Sequence, residues 1–154
     1  MLKIEKIVNN LINNKETIST MESCTGGFLA STITNISGSS EIFKFGAVTY
    51  SNEFKIKMGV NEQVINKYSV YSIETAHEMS ENISKFSNST YGVGITGKIN
   101  REDIMNKSGN NNEVFVSIYN SKLHKHRDLH IICPLYAREK VKKYIVNKLL
   151  NELE

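Results

Sequence analysis

The chain has 154 residues, of which 40% are hydrophobic and 23% charged, and its formal net charge at pH 7 is +3. These values are ordinary for a packed globular protein, so they exclude wholesale disorder, collagen-like repeats and a disulfide-dense miniprotein. A chain of this length predicts one domain spanning residues 1–154.

Charged residues are spread along the chain and form no basic block. Guanidinium groups come only from Arg101, Arg127 and Arg138. Nucleic-acid binders usually concentrate lysine and arginine on one face, so nucleic acid is not an expected partner. The sequence contains no run of about eighteen apolar residues and no signal-peptide pattern. Since the two cysteines are also too few for a disulfide framework, we expect a cytoplasmic protein without membrane contact.

The first third of the chain predicts a helix, a strand and a second helix. Apolar residues recur at helical spacing over 2–12, which indicates an amphipathic helix ending near Asn13. Residues 17–22 are rich in β-branched side chains, as strands are, and end at a glycine-containing turn. The pattern FLASTITNI over 28–36 then predicts a helix, so the turn joins a strand to a helix.

The middle of the chain continues this alternation. Residues 43–51 read as a strand, and their nearly continuous apolar run predicts burial on both faces. Two short helices follow over 52–58 and 61–67. Ser72 is a candidate N-cap for a longer helix that extends to about Phe86. The buried stripe predicted for this helix consists of Ile73, Ala76, Met79, Ile83 and Phe86.

The last third predicts a strand over 91–97, a long polar loop over 98–112 and a hairpin with arms at 114–120 and 123–133. Pro134 suits the first turn of a final helix. One side of that helix is marked by Val141, Tyr144, Ile145, Lys148 and Leu149. The sequence therefore predicts a three-layer α/β/α domain with a mixed, mostly parallel sheet.

The turn after the first strand, Glu22-Ser23-Cys24-Thr25-Gly26-Gly27, is the first candidate site. A strand that ends in such a turn before a helix directs backbone N–H groups toward one point, where an anion or a developing oxyanion can bind. The alternative is purely structural: Ser23 or Thr25 caps the helix, and the glycines permit tight packing.

Lys55, just after the second strand, is the second candidate. To act as a base near neutral pH, a lysine needs a pKa about three units below its usual value of about 10.4. Beside Ser23, Lys55 would form a serine nucleophile with a lysine base, and Tyr50 could orient the proton. The alternative is an ordinary solvated lysine.

Four segments together resemble a known family. They are ESCTGG at 22–27, GSS at 38–40, GAVTYSNEFK at 46–55 followed by MGV, and ITG at 95–97. Their order and separations resemble those of the CinA C-terminal domain family. This family includes nicotinamide-nucleotide amidohydrolases, which convert nicotinamide mononucleotide to nicotinic acid mononucleotide and ammonia without a metal.

The resemblance implies roles for individual residues. It makes Ser23 the nucleophile, Lys55 the general base and Tyr50 an orienting hydroxyl. Substrate binding would involve Thr96 and Arg138, Arg138 as a partner for the substrate phosphate. The backbone of Thr25, Gly26 and Gly27 would receive the oxyanion. The resemblance also implies a three-layer fold, a homodimer, no cofactor and no metal, with a role in pyridine-nucleotide salvage.

The chain departs from the family pattern after Gly97. The usual I-A-G-P and its glycines are replaced here by Lys98-Ile99-Asn100-Arg101. Glycines allow a close approach of backbone to ligand, so their loss reshapes one wall of the pocket. This departure supports a second hypothesis, a catalytically silent relative that acts as a nucleotide-binding or protein-interaction module. A third hypothesis makes the basic 98–107 loop a nucleic-acid contact.

Two further residue sets have alternative interpretations. Cys24 with Glu22 and Lys55 supplies the residue types of a Glu-Lys-Cys amidase, but strand alternation places Glu22 and Cys24 on the face opposite Ser23. His124, His126 and His130 could share a strand face and bind a metal. Their charged neighbours Lys125 and Arg127 fit an exposed strand better, so no metal site is expected.

Overall fold

The structure is a computed structural model that describes residues 1–100 and 110–154. The helices in these two ranges are α1 (Lys3–Asn14), α2 (Phe28–Thr34), α3 (Asn52–Lys57), α4 (Glu62–Tyr68), α5 (Ile73–Ser87) and α6 (Arg138–Leu153). The strands are β1 (Ile18–Glu22), β2 (Phe43–Val48), β3 (Tyr91–Gly97), β4 (Glu113–Asn120) and β5 (Lys125–Ile132). A short 3₁₀ helix, Ser39–Glu41, precedes β2.

The strands form one sheet in the order β2-β1-β3-β4-β5. The central strand pairs β1–β2 and β1–β3 are parallel, whereas β4 is antiparallel to both β3 and β5. Four strands therefore run in one direction and β4 runs against them. This arrangement brings the carboxyl ends of β1, β2 and β3 to one edge of the sheet, where parallel α/β sheets usually bind ligands.

Helices cover both faces of the sheet. The main core lies between the sheet and α1, α2 and α6, and it is built from aliphatic side chains such as Val8, Leu29, Ile95 and Ile145. On the other face, α5 packs against β1, β3 and β4. A smaller cluster there joins Met21 of β1 to Met79 and Ile83 of α5 and to side chains near α3 and α4.

This architecture confirms the predicted three-layer α/β/α domain with a mixed, mostly parallel sheet. The predicted order of helices and strands is also correct in the described ranges, including the two short helices and the antiparallel hairpin. Ser72 is the N-cap of α5, since its side chain accepts a hydrogen bond from Thr75 N.

Three local predictions are wrong. The second strand is not buried on both faces: β2 is an edge strand whose residues are mostly exposed, because it lies at the margin of the helix layers that cover the sheet. Phe86 does not belong to the buried stripe of α5 and is exposed. Pro134 precedes α6, which begins four residues later at Arg138.

The predicted 98–112 loop lies partly outside the described residues, as does the 98–107 segment considered for nucleic acid. The first includes 101–109 and the second 101–107, and these residues fall between the two described ranges. Within those ranges, no helix combines the length and the apolar character needed to cross a bilayer.

Candidate functional site

Ser23 lies at the carboxyl end of β1, where the strand gives way to the turn that leads into α2. Its backbone N–H donates to Ile95 O of β3 at 3.0 Å, so the chain at this point is still attached to the sheet. The turn closes when Gly26 N donates to Ser23 O at 2.9 Å. Gly26 and Gly27 have φ values of 63° and 97°, a region that favours glycine. The two glycines therefore permit the tight turn that follows Ser23.

Lys55 reaches Ser23 from the short helix α3. Ser51 caps this helix by accepting from Phe54 N, which sets the helix start one turn before Lys55. The Lys55 side chain is buried, with 2% of the residue exposed. Its Nζ donates to Ser23 Oγ at 3.0 Å and to Thr49 O at 2.7 Å. The structure thus brings together two side chains that are 32 positions apart in sequence.

The N-terminus of α2 does not offer the free anion site that the turn pattern predicted. Glu22 is buried, and its carboxylate accepts from Leu29 N and Ala30 N, each at 2.9 Å. The Thr25 hydroxyl also donates to this carboxylate, at 2.6 Å. An anion from within the chain therefore already satisfies the first N–H groups of the helix.

Tyr50 and Arg138 meet at the rim of this region. Tyr50 is 63% exposed, and its hydroxyl accepts from Arg138 Nη2 at 3.3 Å. Arg138 Nη1 donates to Ile99 O at 2.6 Å. The guanidinium group therefore connects the loop after β2 with the segment after β3. In this arrangement the described partner of the Tyr50 hydroxyl is Arg138, and not Ser23 or Lys55.

Thr96 lies beside the end of β1, because Glu22 pairs with its neighbour Ile95 in the parallel register. The Thr96 side chain is fully buried and donates to Val70 O at 2.8 Å. This bond attaches the segment before α5 to β3. Thr25 and Thr96 were both predicted to bind substrate. Their hydroxyl groups instead donate hydrogen bonds within the protein.

Sequence reasoning missed Lys98, which follows β3 by one residue. Only 3% of it is exposed, and its Nζ has no hydrogen-bond partner among the described residues. The ammonium lies 5.0 Å from the ring centroid of Tyr71. Strand alternation explains this direction, because Thr96, two residues earlier, also points to the segment at 70–71. The sequence contained one signal for this residue: Lys98 directly follows the ITG motif, at the position where the family usually has isoleucine.

Lys142 is the second cation that sequence reasoning missed. It lies one helical turn after Arg138 on α6, and its Nζ is 3.3 Å from the point that a Cβ at Gly26 would occupy. Together with Arg138 at the rim and Lys98 after β3, it adds positively charged side chains to the segments that adjoin the Ser23 turn. The site is therefore electrostatically suited to an anionic ligand.

Cys24 lies on the opposite side of β1 from Ser23. It is part of the main aliphatic core, and burial raises the pKa of its thiol to about 12. A thiol with this pKa is almost entirely protonated near neutral pH, and thiols in this form are poor nucleophiles. The geometry therefore favours Ser23 over Cys24 as the group that faces Lys55.

The three histidines of the hairpin do not form one cluster. The His124 ring lies 3.1 Å from the Tyr119 hydroxyl, and His130 Nε2 lies 2.6 Å from Glu113 Oε2. His126 instead turns toward α5, where His77 and, on its own strand, Asp128 complete a group of potential metal ligands. The histidine that stacks on His126 is His77 of α5. The spacing of histidines along one strand cannot reveal a neighbour from another element.

Comparisons with known proteins identify the family of the chain. The family model for the CinA C-terminal domain matches residues 2–154. A competence-damage inducible protein of Clostridium beijerinckii is 50% identical over 98 residues, which cover 62% of this chain and 24% of the relative. A CinA-like protein of Endomicrobium trichonymphae is 49% identical over 88 residues, which cover 56% and 21%. The chain thus spans about a quarter of the length of the curated relatives it matches.

Solved structures share the fold at lower identity. The competence/damage inducible protein of Agrobacterium tumefaciens superposes with a TM-score of 0.84 at 24% identity, covering 99% of this chain and 94% of that one. A competence damage-inducible protein of Klebsiella pneumoniae gives 0.88 at 21%, covering 98% and 92%. Because the family model accounts for nearly every residue, the chain belongs to the CinA C-terminal domain family.

Proposed function

We propose that this chain is a metal-independent amidohydrolase in which Ser23 is the nucleophile and Lys55 the general base. The observation that carries the proposal is the 3.0 Å distance between Lys55 Nζ and Ser23 Oγ, in a place where both residues are buried. A serine hydroxyl is a weak nucleophile until a neighbouring base removes its proton. Lys55 is at the right distance to do so.

The reaction that this pair supports is hydrolysis of an amide in two steps. Neutral Lys55 takes the Ser23 proton as Oγ attacks the amide carbon. The resulting ammonium then protonates the amide nitrogen as the C–N bond breaks, so that ammonia leaves, the acyl-serine forms and Lys55 is neutral again. Water subsequently attacks the acyl-serine, Lys55 takes the water proton, and Ser23 leaves as a hydroxyl. We assign oxyanion stabilisation to the N–H groups of Thr25 and Gly27, because Gly26 N already donates within the turn.

We further propose nicotinamide mononucleotide, or a related nucleotide amide, as the substrate, with nicotinic acid mononucleotide and ammonia as the products. The family includes enzymes with this activity, and the cations around the site suit a phosphate. Lys98 supports the proposal most directly, since a buried ammonium that has the Tyr71 ring beside it but no described hydrogen-bond partner is stabilised when an anion joins it. Arg138 and Lys142 would contribute from the rim.

The direct test measures ammonia and nicotinic acid mononucleotide by chromatography after incubation with nicotinamide mononucleotide. We expect turnover by the wild type, and a loss of about 10³-fold or more in Ser23→Ala and Lys55→Ala. Cys24→Ala is the matched control, because it removes the neighbouring nucleophile from the other side of the strand. The assignment of the nucleophile fails if Cys24→Ala is inactive and Ser23→Ala retains activity.

The role of Lys98 has its own test. Lys98→Met should raise KM for the nucleotide by about tenfold or more, with a smaller change in kcat, because it removes a charge-assisted contact to the ligand. Lys140→Met, an exposed lysine on α6, is the control and should leave KM unchanged. Equal KM values in both variants would remove Lys98 from the binding site.

A catalytically silent, nucleotide-binding relative is the second candidate. It is favoured by the internal engagement of Thr25, Thr96 and Arg138, each of which already donates to a group within the protein. Thermal-shift titration with nicotinamide mononucleotide and nicotinic acid mononucleotide separates the two candidates. Binding without turnover supports the silent relative, and a shift with turnover supports the enzyme.

Two wider proposals concern the setting of the protein. We propose a homodimer, supported by the exposed Phe45, Val48 and Phe86 around the edge strand β2, which a monomer would leave in water. Sedimentation velocity tests it.

We propose a cytoplasmic location, supported by two buried cysteines that are both free. A fluorescent fusion in living cells tests it.

A further inference from the structure

Helix α5 and strand β5 present four histidine and carboxylate side chains to each other on the side of the sheet that α5 covers. His77 and Glu81 are one turn apart on α5, so they lie on the same face of the helix. His126 and Asp128 are two residues apart on β5, so they point to the same side of the strand. The packing of helix against strand therefore brings the four side chains together.

The distances show that these groups already contact one another. His77 Nε2 lies 2.7 Å from Asp128 Oδ2, and His126 Nε2 lies 2.5 Å from Glu81 Oε1. The two imidazole rings stack with their centroids 4.0 Å apart and an interplanar angle of 23°. One ligand atom from each of His77, His126 and Asp128 lies within 4.8 Å of the other two.

We propose that His77, His126 and Asp128 bind a divalent late transition metal, with Zn²⁺ as the best-fitting ion. Zinc accepts two imidazoles, a carboxylate and a water in tetrahedral geometry, with bonds of about 2.0–2.2 Å. Such bonds place neighbouring ligand atoms about 3.3 Å apart. The 2.7 Å pair must open slightly, and the widest separation must close by about 1.5 Å. Partly exposed side chains can make these rotamer-scale movements.

The charges around the group favour a cation. With both imidazoles neutral, Asp128 and Glu81 contribute two negative charges. Lys85 lies 3.9 Å from Glu81 on a side chain that is 70% exposed, so its effect is screened, and the Arg127 guanidinium is directed to Glu152 instead. A metal binds the ring nitrogen that carries no proton. In the metal-bound form each imidazole is neutral and keeps its one proton on the other nitrogen.

Neighbouring side chains hold His126 in place for this role. The Ser117 hydroxyl lies 2.8 Å from His126 Nδ1, and Ser80 donates to Ser117 Oγ at 3.2 Å. Glu81 contacts the opposite ring nitrogen, Nε2, and a metal bound at Nε2 would displace this contact. Metal-binding histidines usually have their second nitrogen bonded in this way, which fixes the ring orientation. His126 is therefore partly organised before a metal arrives.

The site is independent of Ser23. Asp128 aligns with Ser117 on β4, which aligns with Gly94 on β3, so two strands separate the metal ligands from β1. A metal here would connect α5 to the edge strand and would stabilise the fold without entering the amide reaction. The nitrogen ligands select against Mg²⁺ and Ca²⁺, which prefer oxygen.

The experiment uses the full chain without an affinity tag, first treated with EDTA and then exchanged into buffer. Zn²⁺ is titrated against a chromophoric chelator, and thermal unfolding is followed with and without metal. We expect one Zn²⁺ per chain and a melting temperature that rises by about 5 °C or more at a hundredfold excess over Kd. Co²⁺ should give the intense visible bands of a tetrahedral site with imidazole ligands.

Three variants decide which residues bind. His77→Gln and Asp128→Asn can keep a hydrogen bond between helix and strand but weaken the ligands, so each should reduce Zn²⁺ affinity by at least about tenfold. His130→Gln is the matched control, since His130 also faces a carboxylate on β5's neighbour but lies outside the group. Circular dichroism verifies that each variant folds.

The proposal is overturned if the wild type takes up no Zn²⁺. It is also overturned if His77→Gln and Asp128→Asn bind as tightly as the wild type, or if His130→Gln alone loses the metal. The buried thiols do not compete for the metal near neutral pH, because burial raises the pKa of Cys24 to about 12 and that of Cys133 to about 11, and only thiolates bind zinc well.

Discussion

The two faces of the sheet are packed by different means. On the aliphatic face, which α1, α2 and α6 cover, branched side chains such as Val93, Ile95 and Val116 fill the space between the layers. On the α5 face, β3 presents Gly92 and Gly94 instead, and a Cβ at either position would lie within 2.5 Å of an α5 carbonyl oxygen. The helix therefore lies almost directly on the strand backbone.

Polar groups concentrate on the α5 face. Ser19 bonds to Ser87 and Ser89, and Ser80 bonds to Ser117, so hydroxyl groups line the contact between helix and sheet. The Ser23–Lys55 pair and the His77–His126–Asp128 group are on this side as well. The comparison suggests that the aliphatic face supplies most of the stability, whereas the α5 face holds the chemistry. Four predictions test this division.

Ile95→Ala should have the largest effect. Ile95 is fully buried on the aliphatic face, and truncating such a residue removes apolar contacts and leaves a cavity. We expect the free energy of unfolding to fall by about 2–5 kcal/mol, measured by urea denaturation. Ile132→Ala is the control, because Ile132 is 55% exposed on β5 and should change stability by about 0.5 kcal/mol or less. Similar losses in both variants would contradict the stated role of the aliphatic core.

Gly94→Ala should destabilise the protein from the other face, by adding one carbon where Ile95→Ala removes several. The new Cβ would lie 2.5 Å from Ala76 O and 2.7 Å from Met79 Cβ. We expect a loss of about 1–3 kcal/mol in the free energy of unfolding. If α5 were not in close contact, the same change would stabilise by about 0.4–1 kcal/mol through the unfolded chain. The sign of the change in the free energy of unfolding therefore shows whether α5 is in close contact with β3.

Glu22→Gln tests the buried carboxylate beside the aliphatic core. Each carboxylate oxygen accepts from one backbone N–H of α2, so the N–H₂ group of Gln would face the donor of either Leu29 or Ala30 and that bond would be lost. We expect a loss of about 1–2 kcal/mol in the free energy of unfolding. Glu41→Gln changes the same group at an exposed position and should have no measurable effect. Equal stability of Glu22→Gln and wild type would show that the carboxylate is not needed to cap α2.

The smallest effect on stability near neutral pH should come from ionisation of the two buried thiols, Cys24 and Cys133. Burial raises the pKa of Cys24 to about 12 and that of Cys133 to about 11, so both should resist a thiol reagent at pH 7.5 until the chain is unfolded. The unfolded thiols ionise first, so their contribution to stability is complete below pH 9 and decreases as pH rises toward 12. Rapid labelling of the native protein would contradict this burial.

Much of the fold could be predicted because local patterns and tertiary structure agree. The helical spacing in α1, the Ser72 cap of α5 and the glycine turn after β1 each match the observed element. The exposure of β2 could not be predicted, because its apolar pattern is the same for a central strand and for an edge strand that leaves side chains in water. Only the strand order distinguishes the two cases.

The candidate site divides in the same manner. The motif residues Ser23 and Lys55 could be named from sequence, since the resemblance to the family rests on the segments that contain them. The engagement of Thr25 with Glu22 and of Thr96 with Val70 could not, because hydrogen-bond partners depend on distances in space. Lys98 and His77 were overlooked for a related reason, because each acquires its surroundings from a distant element.

The sequence by itself determined the order of helices and strands, the family and the identity of the serine–lysine pair, because these depend on periodicity, turn residues and motifs that are local in the chain. The tertiary structure decided which groups were available and which were already paired. It placed Glu22 at the start of α2, Lys98 against Tyr71 and His77 beside His126. Packing brings residues tens of positions apart into contact, and the chemistry of a side chain depends on those contacts.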